Sequence, residues 1–312
     1  MPALRTLDFT DCAISDAAAA ALFPAAGAAG ALNLRALSLV RVELSPAAVH
    51  AIVATGWRLD ELDLSGNPLG ADGCAALLAA PSLALRVLRL EDCDLDAATF
   101  VALANAPWPL EELDVFHNDL GGLGQLPGAS SDVAAALVAL SKRPCMRALN
   151  IAACLLTAAS FKALAEASWP ALVYLNADCY EVSFEGPDAL GAAAFAGFPA
   201  LEELDLSSVE LGEAGARLLA SRRWPRLKKL CLLSCALDDA ALAALARGAW
   251  PALKTLYLGM NRASNAGHAA LARGDWPALE ALDLGCNHLS PQPTLEDVRR
   301  WAPALVKLTG VY

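Results

Sequence analysis

Residues 201–226 read LEELDLSSVELGEAGARLLASRRWPR, and the same sentence restarts at Leu227, Leu253 and Leu279, 26 residues later each time. Leu201, Leu204, Leu206 and Leu211 fall at positions one, four, six and eleven, with Val209 at position nine, giving L-x-x-L-x-L-x-x-N/C-x-L. The alternation Leu204-Asp205-Leu206 is that of a short strand with one buried face. The second half is a small-residue helical pattern closing on Trp224-Pro225. A fixed period of this length means that each unit is one supersecondary element, unable to bury its apolar face alone, which stacks on its neighbours.

Carried outward, the frame gives unit starts at residues 4, 34, 59, 85, 110, 146, 172, 201, 227, 253, 279 and 305, with Leu at every start except Met146. The twelfth unit stops at Tyr312. Length alone suggests about two globular domains, but repeats grow as one body, so a single domain over residues 1–312 is expected, with about eleven full repeats and a last strand. Successive strands pair in parallel, roughly 4.8 Å apart. Position nine holds Cys12, Cys93, Cys154 and Cys235 in some units and Asn67, Asn118, Asn261 and Asn287 in others. There a short side chain turns inward and hydrogen-bonds the backbone where the strand ends.

Helix signals recur at fixed places. Ser45-Pro46 reads as an N-cap followed by proline at the first helical position, and Ser290-Pro291 repeats it. Asp96 and Asp238 read as caps, while Arg247-Gly248 and Arg273-Gly274 place a cation and a glycine at helix ends. All seven tryptophans (Trp57, Trp108, Trp169, Trp224, Trp250, Trp276 and Trp301) lie just ahead of a strand, with Phe198 in the same place in the seventh unit. Recurring once per repeat, they are plugs of the helix-to-strand turn rather than a ligand-stacking row.

Strings such as LEELDLSSVEL, LKKLCLLSCAL and LEALDLGCNHL resemble the ribonuclease-inhibitor-like class of leucine-rich repeats over essentially the whole chain. GEAGARLLA after Leu211 also resembles the variant in which a Gly-Ala step opens the helix. The resemblance implies an α/β, right-handed leucine-rich-repeat solenoid, a horseshoe with a parallel sheet on the concave face and helices on the convex face. It is specific for fold and nearly silent on function.

Composition bounds the rest. The chain has 312 residues, a net charge of −11 and a hydrophobic fraction of 56%. Its mean hydropathy is +0.43. The longest uncharged run, Ala17–Leu34, is mostly alanine and is broken by Pro24, Gly27, Gly30 and Asn33, so no membrane span is expected. Nine cysteines without paired spacing, and no basic-then-apolar leader, point to a reducing cytoplasm or nucleus. From Arg58 to Asp119 there are twelve acidic and three basic residues, whereas Arg217 to Arg273 holds ten basic and two acidic. With a pI near 4.8 and no basic-aromatic motif, nucleic acid is not an expected ligand. No phosphate-binding glycine loop, metal-ligand spacing or catalytic constellation is present, so neither an enzyme nor a cofactor is expected.

The informative residues are those that break the repeat. The fifth unit carries the surplus GGLGQLPGASS (residues 121–131), with Ser130-Ser131-Asp132 reading as the cap of a displaced helix. The seventh has Ala177 where a leucine belongs, Tyr180 at position nine, and the irregular EVSFEGPDALG from Glu181. Positions three, five, seven and eight form the concave face. There Glu112, Asp114, Phe116, His117, Tyr174, Asn176 and Asp178 surround the irregular units, with Lys229 and Tyr257 further along. These nine residues are the expected contacts of a protein partner, since aromatics amid short polar groups on a rigid sheet suit recognition. An interaction scaffold is the leading expectation. The alternative is a substrate-recognition or regulatory module of the ubiquitin-ligase-adaptor, GTPase-activating or innate-sensor type. Neither Pro2–Leu7 nor Leu305–Tyr312 reads as a polar cap, so self-association through an end, or continuation in a longer chain, is also expected.

The frame makes Leu206 a core residue shared between neighbouring repeats. Leu206→Ala is expected to cost roughly 2–5 kcal/mol in chemical denaturation; an unshifted transition would contradict the register.

Overall fold

The computed structural model describes residues 4–12, 14, 16–19, 21, 34–121, 129–179 and 194–310. It forms two compact units, Met1–Leu155 and Leu156–Tyr312. In the first, strands β1 (Thr6–Asp8), β2 (Ala36–Ser38), β3 (Glu61–Asp63), β4 (Val87–Arg89), β5 (Glu112–Asp114) and β6 (Ala148–Asn150) alternate with helices α1 (Pro46–Ala54), α2 (Gly70–Leu78), α3 (Ala97–Ala104) and α4 (Ala129–Ser141). In the second, β7 (Tyr174–Asn176), β8 (Glu203–Asp205), β9 (Lys229–Cys231), β10 (Thr255–Tyr257), β11 (Ala281–Asp283) and β12 (Lys307–Thr309) alternate with α5 (Ala158–Glu166), α6 (Gly212–Ala220), α7 (Asp239–Leu245), α8 (Asn265–Leu271) and α9 (Leu295–Arg299).

Every strand begins at the third residue of its repeat, so the sequence frame and the strand register coincide. Within the first unit, Leu7, Leu37, Leu62, Leu88, Leu113 and Leu149 pair in parallel register. In the second, Leu175, Leu204, Leu230, Leu256, Leu282 and Leu308 do the same. The interior members of these ladders are buried, and Leu206 is fully so. Each unit is an α/β leucine-rich-repeat array in which α1 packs on α2, α3 on α4, and α6 and α8 on α7.

Position nine settles what happens when the chain leaves the strand. Asn261 lies in the core at 5% exposure. Its Oδ1 accepts from Cys235 N at 2.9 Å and Leu237 N at 3.0 Å. Its Nδ2 donates to the carbonyls of Leu232, Leu258 and Gly259. Asn67 and Asn118 make the same five bonds to their own neighbours. A cysteine cannot, because a thiol is one weak donor and a weak acceptor. The thiols of Cys93, Cys154 and Cys235 donate to nearby carbonyls.

The preceding repeat adapts to this difference. Ahead of a cysteine, position twelve is glycine, and the amides of Gly70, Gly121 and Gly212 donate to the carbonyls of Cys93, Cys154 and Cys235. Gly70 and Gly212 take left-handed φ of 55° and 53° and open α2 and α6 without a side-chain cap. Ahead of Asn67, Asn118, Asn261 and Asn287, position twelve is Ser45, Asp96, Asp238 and Ser264, each an extended N-cap whose side chain accepts from the first turn. Where α2 and α6 open on glycine the next repeat supplies a thiol, and where α1, α3, α7 and α8 open on a side-chain cap it supplies an amide.

The described tryptophans are structural. The indole N–H groups of Trp169, Trp224, Trp250 and Trp276 donate to the carbonyl five residues earlier, at 2.8–3.1 Å, closing the helix end. Trp250 and Trp276 stack at 6.4 Å and 5°. At the end of the fifth repeat, where the tryptophan is missing, the Arg143 guanidinium instead donates to the carbonyls of Ala104, Ala106 and Trp108. Burial holds its pKa below the usual arginine value.

Three sequence expectations change. Gly248 and Gly274 do not serve as left-handed caps; a Cβ there would meet the Trp250 or Trp276 Nε1 at 2.6 or 2.5 Å, so glycine makes room for the indole. Ser290-Pro291 does not open a helix. α9 starts at Leu295, where Thr294 and Asp297 form a capping box that satisfies the first turn better. α4 starts at Ala129, ahead of the expected cap. Most of the 121–131 loop, Tyr180 and residues 181–191 lie outside the described residues.

Asn261→Ala leaves two amides and three carbonyls short of partners in the core and is expected to destabilise the protein by at least about 2 kcal/mol. Asn105→Ala, which removes one exposed bond to the Val101 carbonyl, is expected to cost less than about 0.5 kcal/mol in the same denaturation series.

Candidate functional site

Side chains at positions three and five point away from the helices, and those at seven and eight follow as the strand ends. In the first unit this places Glu112, Asp114, Phe116 and His117 together at β5. Glu112 pairs with Arg89 of β4 at 2.5 Å, and His117 Nδ1 lies 3.1 Å from Asp92 Oδ1. The Phe116 and His117 rings are 5.9 Å apart and tilted by 34°. Phe116 is half-buried rather than exposed, while His117 is exposed and held at a left-handed φ of 56°.

Asp114 is half-buried. Its Oδ1 accepts from Phe116 N at 2.9 Å and its Oδ2 from Asn150 Nδ2 at 3.0 Å. Burial raises its pKa against those two hydrogen bonds. Glu91, on the same face, is also raised, first by burial and then by the like charges of Asp114, Asp63 and Asp92. The first unit's strand face therefore carries negative charge that its own arginines leave uncompensated.

In the second unit, Tyr174 and Asn176 lie on β7 with Asp178 just beyond its end, Lys229 two strands away on β9, and Tyr257 on β10. Asn176 Oδ1 accepts from Asp178 N at 3.2 Å. Burial raises the Asp178 carboxyl, against a hydrogen bond from Ser208. Burial works against the Lys229 ammonium, but Cys231, Glu203 and Asp205 outweigh it and hold its pKa above the usual lysine value. Lys229 lies 3.8 Å from Glu203, Lys228 2.6 Å from Glu202 and Lys254 2.8 Å from Glu280. Lys229, expected as a partner contact, thus also has a glutamate of the neighbouring repeat beside it, as have Lys228 and Lys254. Cys231, which the frame puts on the open face, is only 4% exposed. Its thiol is pushed up to about 12 by burial, with Asp205 adding to the shift, and so is a poor nucleophile.

The structure also separates candidates by role. At position five, Asp8, Asp63, Asp114, Asn150, Asn176, Asp205 and Asp283 each accept the backbone N–H two residues on, at 2.8–3.2 Å. Asp114 and Asn176 thus perform a duty of the repeat, closing the turn after the strand. Tyr257 and Arg89 occupy the same position and cannot perform it. Sequence reading missed this division, although the recurrence of Asp or Asn at position five was visible. Met260, 62% exposed just beyond β10, is a further large side chain largely open to solvent. Among the described residues, no group of three or more His, Cys, Asp and Glu is placed to hold a metal ion, and no helix is long and apolar enough to cross a membrane.

A family profile described as Leucine Rich repeat matches residues 2–23, 59–78 and 109–124. The ribonuclease inhibitor of Mus musculus is 39% identical over 82 residues, a stretch covering 24% of this chain and 18% of that relative. Among solved structures, the TLR13–ssRNA13 complex aligns over 99% of this chain and 40% of its own, with 21% identity and a TM-score of 0.56. The mouse RP105/MD-1 complex aligns over 98% and 46%, with 20% identity and a TM-score of 0.57. This chain thus spans less than half of each of these longer proteins, and the structural likeness is one of fold.

Glu91→Gln tests the crowding of the acidic face. A carboxyl whose folded-state pKa is raised is penalised when ionised, at pH above that value, and the penalty vanishes below the unfolded-state value. The variant is expected to melt slightly higher than wild type near neutral pH and at the same temperature in solution more acidic than the usual glutamate pKa. A lower melting temperature near neutral pH would contradict the raised pKa.

Proposed function

We propose that this chain, a leucine-rich-repeat protein of the ribonuclease-inhibitor type, is an interaction scaffold that binds a protein partner through its open strand face. The observation carrying this reading is that Phe116 on the first unit's strand face, and Tyr174 and Tyr257 on the second's, lie half-buried at positions where the repeat itself does not require an aromatic. Tyr257 is the clearest, because most strands place there an Asp or Asn that closes the turn. Large rigid side chains add contact area at low entropic cost, the usual character of binding hot spots.

The side chains around them support a polar rim. On the first unit Glu112 and His117 share the strand face with Phe116 and orient a partner by charge, with Asp114 shaping the surface; on the second Asp178 and Lys229 do so on the face of Tyr174 and Tyr257, with Asn176. The nine cysteines are free thiols, which favours a reducing compartment and supports a cytoplasmic location. No cofactor and no catalytic step belong to this reading.

The test is partner capture from cytosolic extract by immobilised protein. Phe116→Ala and Tyr257→Ala are each expected to reduce the captured protein at least tenfold while leaving the melting temperature nearly unchanged. Lys162→Ala, on the outer side of α5, is expected to leave capture intact. Equal capture by wild type and both aromatic variants would remove the strand face as the binding surface.

A further inference from the structure

Three side chains able to bind a metal, Met260, Cys286 and His288, stand on neighbouring backbone where β10 and β11 end. The 26-residue register offset that pairs Tyr257 with Asp283 continues beyond the strands, bringing Met260 beside Cys286. The Met260 amide donates to the Gly285 carbonyl at 2.7 Å, and the His288 amide to the Ala263 carbonyl at 2.8 Å, so the two turns run side by side. Backbones at this separation, roughly 4.8 Å, put the side chains of adjoining repeats within reach of one ion.

The backbone fixes which way these residues face. Between Cys286 and His288, Asn287 turns inward, with its amide bonded to the carbonyls of Leu258, Leu284 and Gly285 and its oxygen to Ala263 N. Cys286 and His288 on either side are consequently exposed. Met260 and Cys286 both hold a left-handed φ, 58° and 53°. At 62% exposure, the Met260 thioether contributes little to packing. Cysteine and histidine alone are too few for zinc, which takes four strong ligands in structural sites. A thioether from the neighbouring repeat changes the chemistry instead of completing that set, because thioether, thiolate and imidazole together select a soft monovalent ion.

We propose that Met260, Cys286 and His288 form a surface site for one cuprous ion, independent of the partner-binding reading. The Cys286 thiol loses its proton to solvent as the copper–sulfur bond forms, the Met260 sulfur and a His288 ring nitrogen donate lone pairs, and no electron is transferred.

The probe is Cu(I) itself, supplied anaerobically with excess ascorbate and competed against a chromophoric cuprous chelator. The full chain carries Cys12→Ser to remove the other exposed thiol. One equivalent is expected to be retained, at least tenfold more weakly after Met260→Leu or His288→Gln, and not at all after Cys286→Ser, with melting temperatures of the copper-free proteins unchanged. Zn(II) is expected to leave the protein under matched competition. Retention unaffected by Met260→Leu and His288→Gln would reduce the site to a lone thiol and overturn the proposal, as would failure of the parent to hold any copper.

Discussion

Each strand is only three residues long, and the chain leaving it must turn back through the core with its peptide groups paired. Unpaired buried amides are costly, and position nine is where this cost is met. One buried asparagine joins two repeats by taking amides from the preceding turn while binding carbonyls of both strands. Where cysteine stands there, its own carbonyl substitutes, provided that the preceding repeat brings a glycine amide to it. The left-handed residue at position eight, the outward direction of its neighbours and the opening of the following helix all depend on this joint.

That constraint divides the strand face into two populations. Asp or Asn at position five closes the turn and belongs to the scaffold, whatever else it touches. Phe116, Tyr174 and Tyr257 do nothing for the joint, and neither does Met260. A rigid sheet that fixes its backbone internally leaves such residues free to vary with the partner, while the cross-strand pairs of Lys229 with Glu203 and Arg89 with Glu112 set the charge around them. Acidic crowding at Glu91 and Asp114 in one unit, against paired lysines in the other, gives the two surfaces different electrostatic character.

The strand register was legible because leucine at positions one, four and six has few substitutes in a core this narrow. Tryptophan as a turn plug was legible because seven repeats carry it at the same place, just ahead of the next strand. What could not be read was which partner a polar side chain would choose. Gly248 looked like a helix cap, but its role is set by an indole two residues later. Lys229 looked available, but a glutamate 26 residues earlier lies beside it only because the repeat length puts it there. The aromatics on the strand face were found by their failure to fit the pattern.

Amide hydrogen exchange tests the account most directly, at the joint on which it rests. The amides of Cys235 and Leu237 lie in a turn but are held by the Asn261 side chain, so they are expected to exchange as slowly as the strand amides of Leu230 and Leu232. Exchange at the rate of an exposed turn would show that position nine does not bind the repeats together, and the frame that orients the strand face would fall with it.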